Sequence, residues 1–122
     1  MSASRTIESW EDTWLAALAL YDSLIGHGWH HIKAFRELVA TLGRCEEARG
    51  LTAVTSHETL LISPYTRYPD WFDGRHIRVH PLRDGSVRID RVPQRFDLQP
   101  TETWTVALDQ AQRKLLELMA EL

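Results

Sequence analysis

A chain of 122 residues, 43% hydrophobic and 25% charged, fits a single domain with its own hydrophobic core and carries no biased tract. Its single cysteine, Cys45, excludes an intramolecular disulfide, and no stretch approaches the roughly 20 apolar residues that span a bilayer. The first residues also lack the basic-then-apolar order of a signal peptide. We therefore expect one domain over residues 1–122, soluble and cytoplasmic, without a cofactor and without a membrane partner.

The net charge of −3 conceals a division along the chain. Residues 1–63 carry 5 Lys or Arg and 8 Asp or Glu, residues 64–96 carry 7 and 4, and residues 97–122 carry 2 and 5. Two acidic ends therefore bracket a basic middle segment.

Two helices are predicted at the start of the chain. Apolar residues recur at helical spacing over residues 6–25 and again from about residue 29 to residue 48. The short break at Gly26-His27-Gly28 favours an antiparallel helical hairpin. Gly43 lies inside the second helix, where glycine costs on the order of 1 kcal/mol relative to alanine, so we predict a bend or a close helix contact there.

Four strands can be predicted from short β-branched and alternating runs. Residues 51–55 and 59–63 read as two strands joined at residues 56–58, and residues 75–92 read as a β-hairpin that turns at residues 83–85. A three-residue loop pairs Val79 with Ile89, which places the apolar residues on one face. The other face then carries His76, Arg78, His80, Arg88 and Asp90. In this register Arg78 and Asp90 are opposite each other and are expected to pair.

The chain is predicted to end in a helix that begins near Pro100, with Thr101 as its N-cap. Trp104, Leu108 and later apolar residues follow at helical spacing. The expected fold is therefore α+β, with two N-terminal helices, a three- or four-stranded antiparallel sheet and a C-terminal helix packed on one face of the sheet. The outer face of the hairpin should be open to solvent or to a partner.

Residues 63–74, between the predicted strand at 59–63 and the β-hairpin, form a segment that is rich in aromatic residues and long for a loop. Tyrosine, tryptophan and arginine are the residue types enriched at the energetic centres of protein interfaces. We expect a partner-binding surface formed by this loop and the adjoining sheet face, made of Tyr65, Arg67, Tyr68, Trp71, Arg78 and Arg88. The alternative is that Trp71 and Phe72 fold back to close one end of the core.

Other classes of function have less support from the sequence. The six histidines lack the spacing of a zinc site, and no nucleophile or phosphate-binding motif occurs. We expect a small protein-binding module without catalytic activity, of the inhibitor, immunity or adaptor type, whose partner is another protein. Nucleic-acid binding through the arginine-rich sheet face is the first alternative, and a histidine-dependent metal-binding protein or enzyme is the second. A homodimer through the last helix is a further possibility.

Overall fold

The computed structural model describes residues 9–67, 70–93, 100 and 102–122. Its helices are α1 (Trp10–Gly26), α2 (Lys33–Gly43), α3 (Asp70–Asp73, a single turn) and α4 (Leu108–Ala120). Its strands are β1 (Thr52–Ser56), β2 (Thr59–Ser63), β3 (His76–Pro81), β4 (Ser86–Val92) and β5 (Glu102–Ala107). Single 3₁₀ turns occupy His30–Ile32 and Glu46–Ala48.

The strands form one antiparallel sheet in which the spatial order follows the chain order, β1-β2-β3-β4-β5. One face, the inner face, packs against α1, α2 and α4 around a shared buried cluster. This is the predicted α+β architecture, with two N-terminal helices and a C-terminal helix on one face of an antiparallel sheet. The sheet has five strands rather than the expected three or four. None of the described helices is long and apolar enough to cross a membrane.

The β3–β4 hairpin has the predicted register. Val79 is paired with Ile89 and Pro81 with Val87, and all four of these positions lie on the inner face or its rim. Gly85 has a φ of 91°, in the left-handed region that the third residue of such a loop requires. Matching the hydrophobic faces of the two strands is therefore sufficient to identify the loop length.

The additional strand, β5, occupies the start of the predicted last helix. Thr101, the expected N-cap, lies outside the described residues, and the helix itself begins at Leu108. Trp104 and Val106 point to the inner face opposite Ile89 and Val87, so the apolar residues alternate as they do in a strand. Trp104 and Leu108 also fit a helical spacing of four, which is why the sequence predicts a helix that is too long. The β-branched residues around Trp104 favour the strand.

The second predicted helix is also shorter than expected, because α2 ends at Gly43. A Cβ atom added to Gly43 would lie 3.1 Å from Cε3 of Trp14, so the two helices meet at this glycine. The predicted close helix contact is confirmed. The last part of the predicted helix instead contains the Glu46–Ala48 turn.

Replacement of Gly43 by Ala is expected to lower the free energy of unfolding by about 1 kcal/mol, because the overpacking of Trp14 exceeds the gain in helix propensity. Trp14 is buried and its indole is held by a hydrogen bond, so it has little room to move. Gly26→Ala is the matched control, since Gly26 also ends a helix but a Cβ added there would meet nothing within 4 Å. Urea denaturation of both variants checks this, and equal stabilities would contradict the contact.

Helix α1 covers the outer edge of β1. The indole Nε1 of Trp14 donates a hydrogen bond to the carbonyl of Leu51 at 2.9 Å, and Oγ1 of Thr13 accepts one from the amide of Ala53 at 3.0 Å. These two bonds satisfy backbone groups that an edge strand would otherwise leave open. The edge strand is therefore fixed to the helical layer by side chains.

Candidate functional site

The outer face of the sheet, opposite the helices, is organised in rows of side chains that cross the strands. Residues that are paired between neighbouring strands lie side by side on one face. Two adjacent rows are, from β1 to β5, Ser56, Thr59, His80, Arg88 and Thr105, and then Val54, Leu61, Arg78, Asp90 and Thr103. The rows are apolar or hydroxyl-bearing on β1 and β2 and mostly charged on β3 and β4.

Helix α3 packs over the β2 side of this face. Trp71 and the sheet enclose a cleft of about 530 Å³, which we call the outer cleft. Its lining residues are Val54, Thr55, Ser56, Thr59, Leu61, Trp71 and Arg78. The cleft therefore combines apolar and aromatic walls with hydroxyl groups and one arginine, which is the mixture found in ligand and partner sites.

His76 fixes the position of Arg78 at this cleft. Its Nδ1 lies 2.9 Å from the carbonyl oxygen of Gly74 and must donate, while its Nε2 accepts from Nε of Arg78 at 3.2 Å. His76 is only 1% exposed, and burial lowers its pKa, an effect that the bond to Gly74 opposes and the charge of Arg78 assists. The imidazole of His76 is therefore neutral and supports the guanidinium of Arg78 from below.

A second polar group on the face, which we call the Asp90 cluster, comprises Thr59, His80, Arg88, Asp90 and Thr103. Oδ2 of Asp90 accepts from Nε2 of His80 at 3.0 Å and from Nη2 of Arg88 at 3.3 Å, and Oδ1 accepts from Oγ1 of Thr103 at 3.0 Å. Asp90 is 2% exposed; burial raises its pKa, but the bonds from Thr103, His80 and Arg88 outweigh burial and hold the pKa below its ordinary value. The carboxylate is therefore ionised and fully engaged.

The expected pairing of Arg78 with Asp90 is wrong, although the two residues are opposite each other as predicted. Asp90 instead accepts hydrogen bonds from His80 and Arg88, which lie in the neighbouring row and both reach its Oδ2. Only Nε of Arg78 is engaged in a hydrogen bond within the described part of the chain, and it binds His76. The outer face is also less open than expected, since His76 and Asp90 are buried in it.

Tyr65 and Trp71, the described aromatic side chains of the loop at residues 63–74, lie in different places. Tyr65 packs against the backbone of Gly74, where an added Cβ would clash with its ring. Its hydroxyl accepts a hydrogen bond from Arg75 at 3.0 Å, and the guanidinium lies over the ring. Tyr65 therefore contacts Gly74 and Arg75 and does not line the outer cleft.

Three of the other predicted site residues lie at or beside the outer cleft. Trp71 and Arg78 meet at the outer cleft, and Arg88 lies beside it in the Asp90 cluster. The side chain of Arg67 is exposed, and its carbonyl accepts a hydrogen bond from the amide of Trp71. Tyr68 lies outside the described residues.

The sequence did not reveal the contribution of β1 and β2 to the site. Val54, Thr59 and Leu61 face outwards into the cleft, and their strand alternation alone could have identified that face. What the alternation could not show is that α3 would cover them. Within residues 9–67, 70–93, 100 and 102–122, no three His, Cys, Asp or Glu side chains come together as ligands of a metal ion would.

Comparison of the chain with protein-family models, with curated proteins and with solved structures found no match. The function must therefore be inferred from the site itself.

Proposed function

We propose that the protein is a binding module for another protein, and that the partner enters the outer cleft. The observation that carries this proposal is that Trp71 and Arg78 line the same cleft. These two residue types dominate the binding energy of protein interfaces, particularly where apolar neighbours exclude water from them. Leu61 and Val54 supply that apolar floor.

Charge complementarity indicates the chemistry of the partner segment. The guanidinium of Arg78 is positioned from below by His76, and its terminal nitrogens have no hydrogen-bond partner among the described residues. Arginine binds a carboxylate with two parallel hydrogen bonds. The partner segment should therefore present a carboxylate next to an apolar side chain, which would rest between Leu61 and Trp71.

The first alternative, nucleic-acid binding by the same face, has less support. A platform for single-stranded nucleic acid needs cations that are available to phosphates. Arg88 is committed to the ionised Asp90, whose negative charge lies in the middle of the face. This leaves Arg78 as the cation that the cleft itself offers.

The partner can be identified by cross-linking from the cleft. A photoreactive benzoylphenylalanine at position 71 should capture the partner in cells, whereas the same group at position 29 should not. Trp29 is the matched control, because it is a tryptophan that is 37% exposed, follows the end of α1 and does not line the outer cleft. Mass spectrometry of the adduct then names the partner and the contacting peptide.

With the purified partner, Trp71→Ala is expected to weaken binding about 30-fold and Arg78→Gln about tenfold, as central interface residues do. The Arg78→Gln complex should also depend less on salt concentration. Trp29→Ala and Arg113→Gln, on exposed positions elsewhere, should bind as the wild type does. Calorimetric titration measures all four.

The proposal fails if Trp71→Ala and Arg78→Gln retain wild-type affinity while their circular dichroism is unchanged. A salt-sensitive complex with single-stranded nucleic acid that is lost in Arg78→Gln would instead support the nucleic-acid alternative.

A further inference from the structure

A hydroxyl, an imidazole and a carboxylate are connected in a chain of hydrogen bonds beside the outer cleft. Oγ1 of Thr59 lies 3.0 Å from Nδ1 of His80, and Nε2 of His80 lies 3.0 Å from Oδ2 of Asp90. The three residues come from the adjacent strands β2, β3 and β4. Thr59 also lines the outer cleft, so the hydrogen-bond chain begins at its wall.

The direction of each hydrogen bond follows from the charges. An ionised Asp90 can only accept, so Nε2 of His80 must carry a proton. Burial lowers the pKa of His80, and the bond to Asp90 opposes this only in part, so the imidazole is neutral near pH 7. Its Nδ1 is then a lone pair, which must accept the hydroxyl proton of Thr59. A base is thus aimed at a hydroxyl group, as nucleophilic catalysis requires.

We propose that Thr59 is an activated nucleophile that accepts the acyl group of a carboxylic ester bound in the outer cleft. His80 is the general base, and Asp90 is a positioning residue that holds the imidazole in the required tautomer. Leu61 and Trp71 offer an apolar site for the acyl chain. Arg78 lines the same cleft and is the cation that would bind the developing oxyanion there.

The reaction balances without a cofactor. Oγ1 of Thr59 bonds to the carbonyl carbon as its proton moves to Nδ1 of His80. The bond from that carbon to the leaving oxygen then breaks, and Nδ1 returns the proton to the leaving alcohol. Water, deprotonated by the same nitrogen, attacks the acyl-threonine and releases a carboxylic acid, which restores Thr59.

This activity goes beyond partner binding and is independent of it. The sequence alone does not indicate it, because Thr59 and His80 are 21 positions apart, His80 and Asp90 are 10 positions apart, and the three match no local motif. Only the register of the sheet brings them together. The charged groups that face His80 are Asp90, Arg88 and Arg78, with Nη2 of Arg88 at 3.4 Å from Nε2.

Purified protein with p-nitrophenyl acetate and p-nitrophenyl hexanoate provides the test. We expect release of p-nitrophenolate and a covalent acyl group that peptide mapping places on Thr59. Thr59→Val should abolish that adduct, and Thr59→Ser should retain it. His80→Gln should slow acylation about 100-fold or more, as loss of a general base does. Thr105→Val is the matched control, because Thr105 lies in the same row but makes no bond to His80.

A separate measurement tests the role of Asp90 in holding the tautomer of His80. In Asp90→Asn an amide N–H would face Nε2, so the neutral imidazole should move its proton to Nδ1, which would then donate to Thr59. Nitrogen-15 chemical shifts of His80 report that exchange, and acylation should fall with it. In the wild type the rate should also decline in acid, at a pH below the ordinary histidine pKa of about 6.5, because burial lowers the pKa of His80 and protonation removes the base.

An acyl group found on a lysine, on another histidine or on the α-amino group, at the same rate in Thr59→Val, would overturn the proposal. The hydrogen-bond chain would then serve only to join the strands. Because the ester is small and no partner is present, this result says nothing against partner binding, and a failure of the Trp71 and Arg78 variants says nothing against the acylation of Thr59.

Discussion

Replacement of Trp14 by Ala is expected to lower the free energy of unfolding by about 4 kcal/mol, as large aromatic truncations in a core do. Trp14 is buried, faces Gly43 of α2 and donates its indole N–H to the carbonyl of Leu51. The truncation therefore creates a cavity between two helices and leaves a backbone carbonyl of the sheet edge without its partner. For a domain of this size the melting temperature should fall by about 15 °C.

Two further variants separate the contributions of Trp14. Trp14→Phe keeps most of the packing and loses the hydrogen bond, so we expect a loss of about 1 kcal/mol. Trp29→Ala removes an exposed indole that stacks on His31 and should change the stability little. Guanidinium denaturation followed by circular dichroism measures all three without relying on tryptophan fluorescence. A loss below about 2 kcal/mol in Trp14→Ala would mean that the site collapses around the smaller side chain.

Replacement of Asp90 by Ala is expected to cost about 2–3 kcal/mol at neutral pH. Removal of one member of a buried charged network can cost roughly 3–5 kcal/mol, but Arg88 is partly exposed and water can replace its lost bond. His80 and Thr103 have less access to water and lose their acceptor. Asp22→Ala is the matched control, because Asp22 also pairs with an arginine but on the surface, where such pairs contribute about 1 kcal/mol at most.

The pH dependence of the same variant follows from the lowered pKa of Asp90. A carboxylate whose pKa is lower in the folded than in the unfolded protein stabilises fully above the unfolded value, near 3.9, and loses that contribution as the pH falls through the folded value. Because Asp90 raises the pKa of His80, the stability difference between wild type and Asp90→Ala should increase slightly as His80 becomes protonated in mild acid, and it should shrink below about pH 4 as Asp90 itself becomes protonated. A difference that grew further below about pH 4 would contradict the ionised state assigned to Asp90.

The parts of the fold that were predictable are those with one dominant local signal. In the β3–β4 hairpin, only one loop length puts Val79 and Ile89 on a common apolar face, and the structure has that register. The segment around Trp104 carries two compatible signals, a helical spacing to Leu108 and a strand alternation to Val106. This segment forms a strand, because Trp104 and Val106 then pack beside Ile89 and Val87 of β4.

The site was predictable only in part, because its geometry depends on contacts between distant segments. Composition marked Trp71 and Arg78 as interface residues, and both line the outer cleft. It marked Tyr65 equally, yet Tyr65 is held against Gly74 and Arg75. Nothing local indicates that Asp90 prefers His80 to the residue directly opposite it, since that choice depends on which donors reach a buried carboxylate.

The strands lie in the sheet in the order in which a ribosome would make them. During synthesis each new strand can therefore join an edge that already exists, and no strand has to wait for a distant segment. Thr13 and Trp14 belong to α1, which is made before β1, so one boundary of the growing sheet can be closed from the outset. The opposite edge of the sheet stays open for the next strand until β5 is added, and α4 begins at the residue after β5.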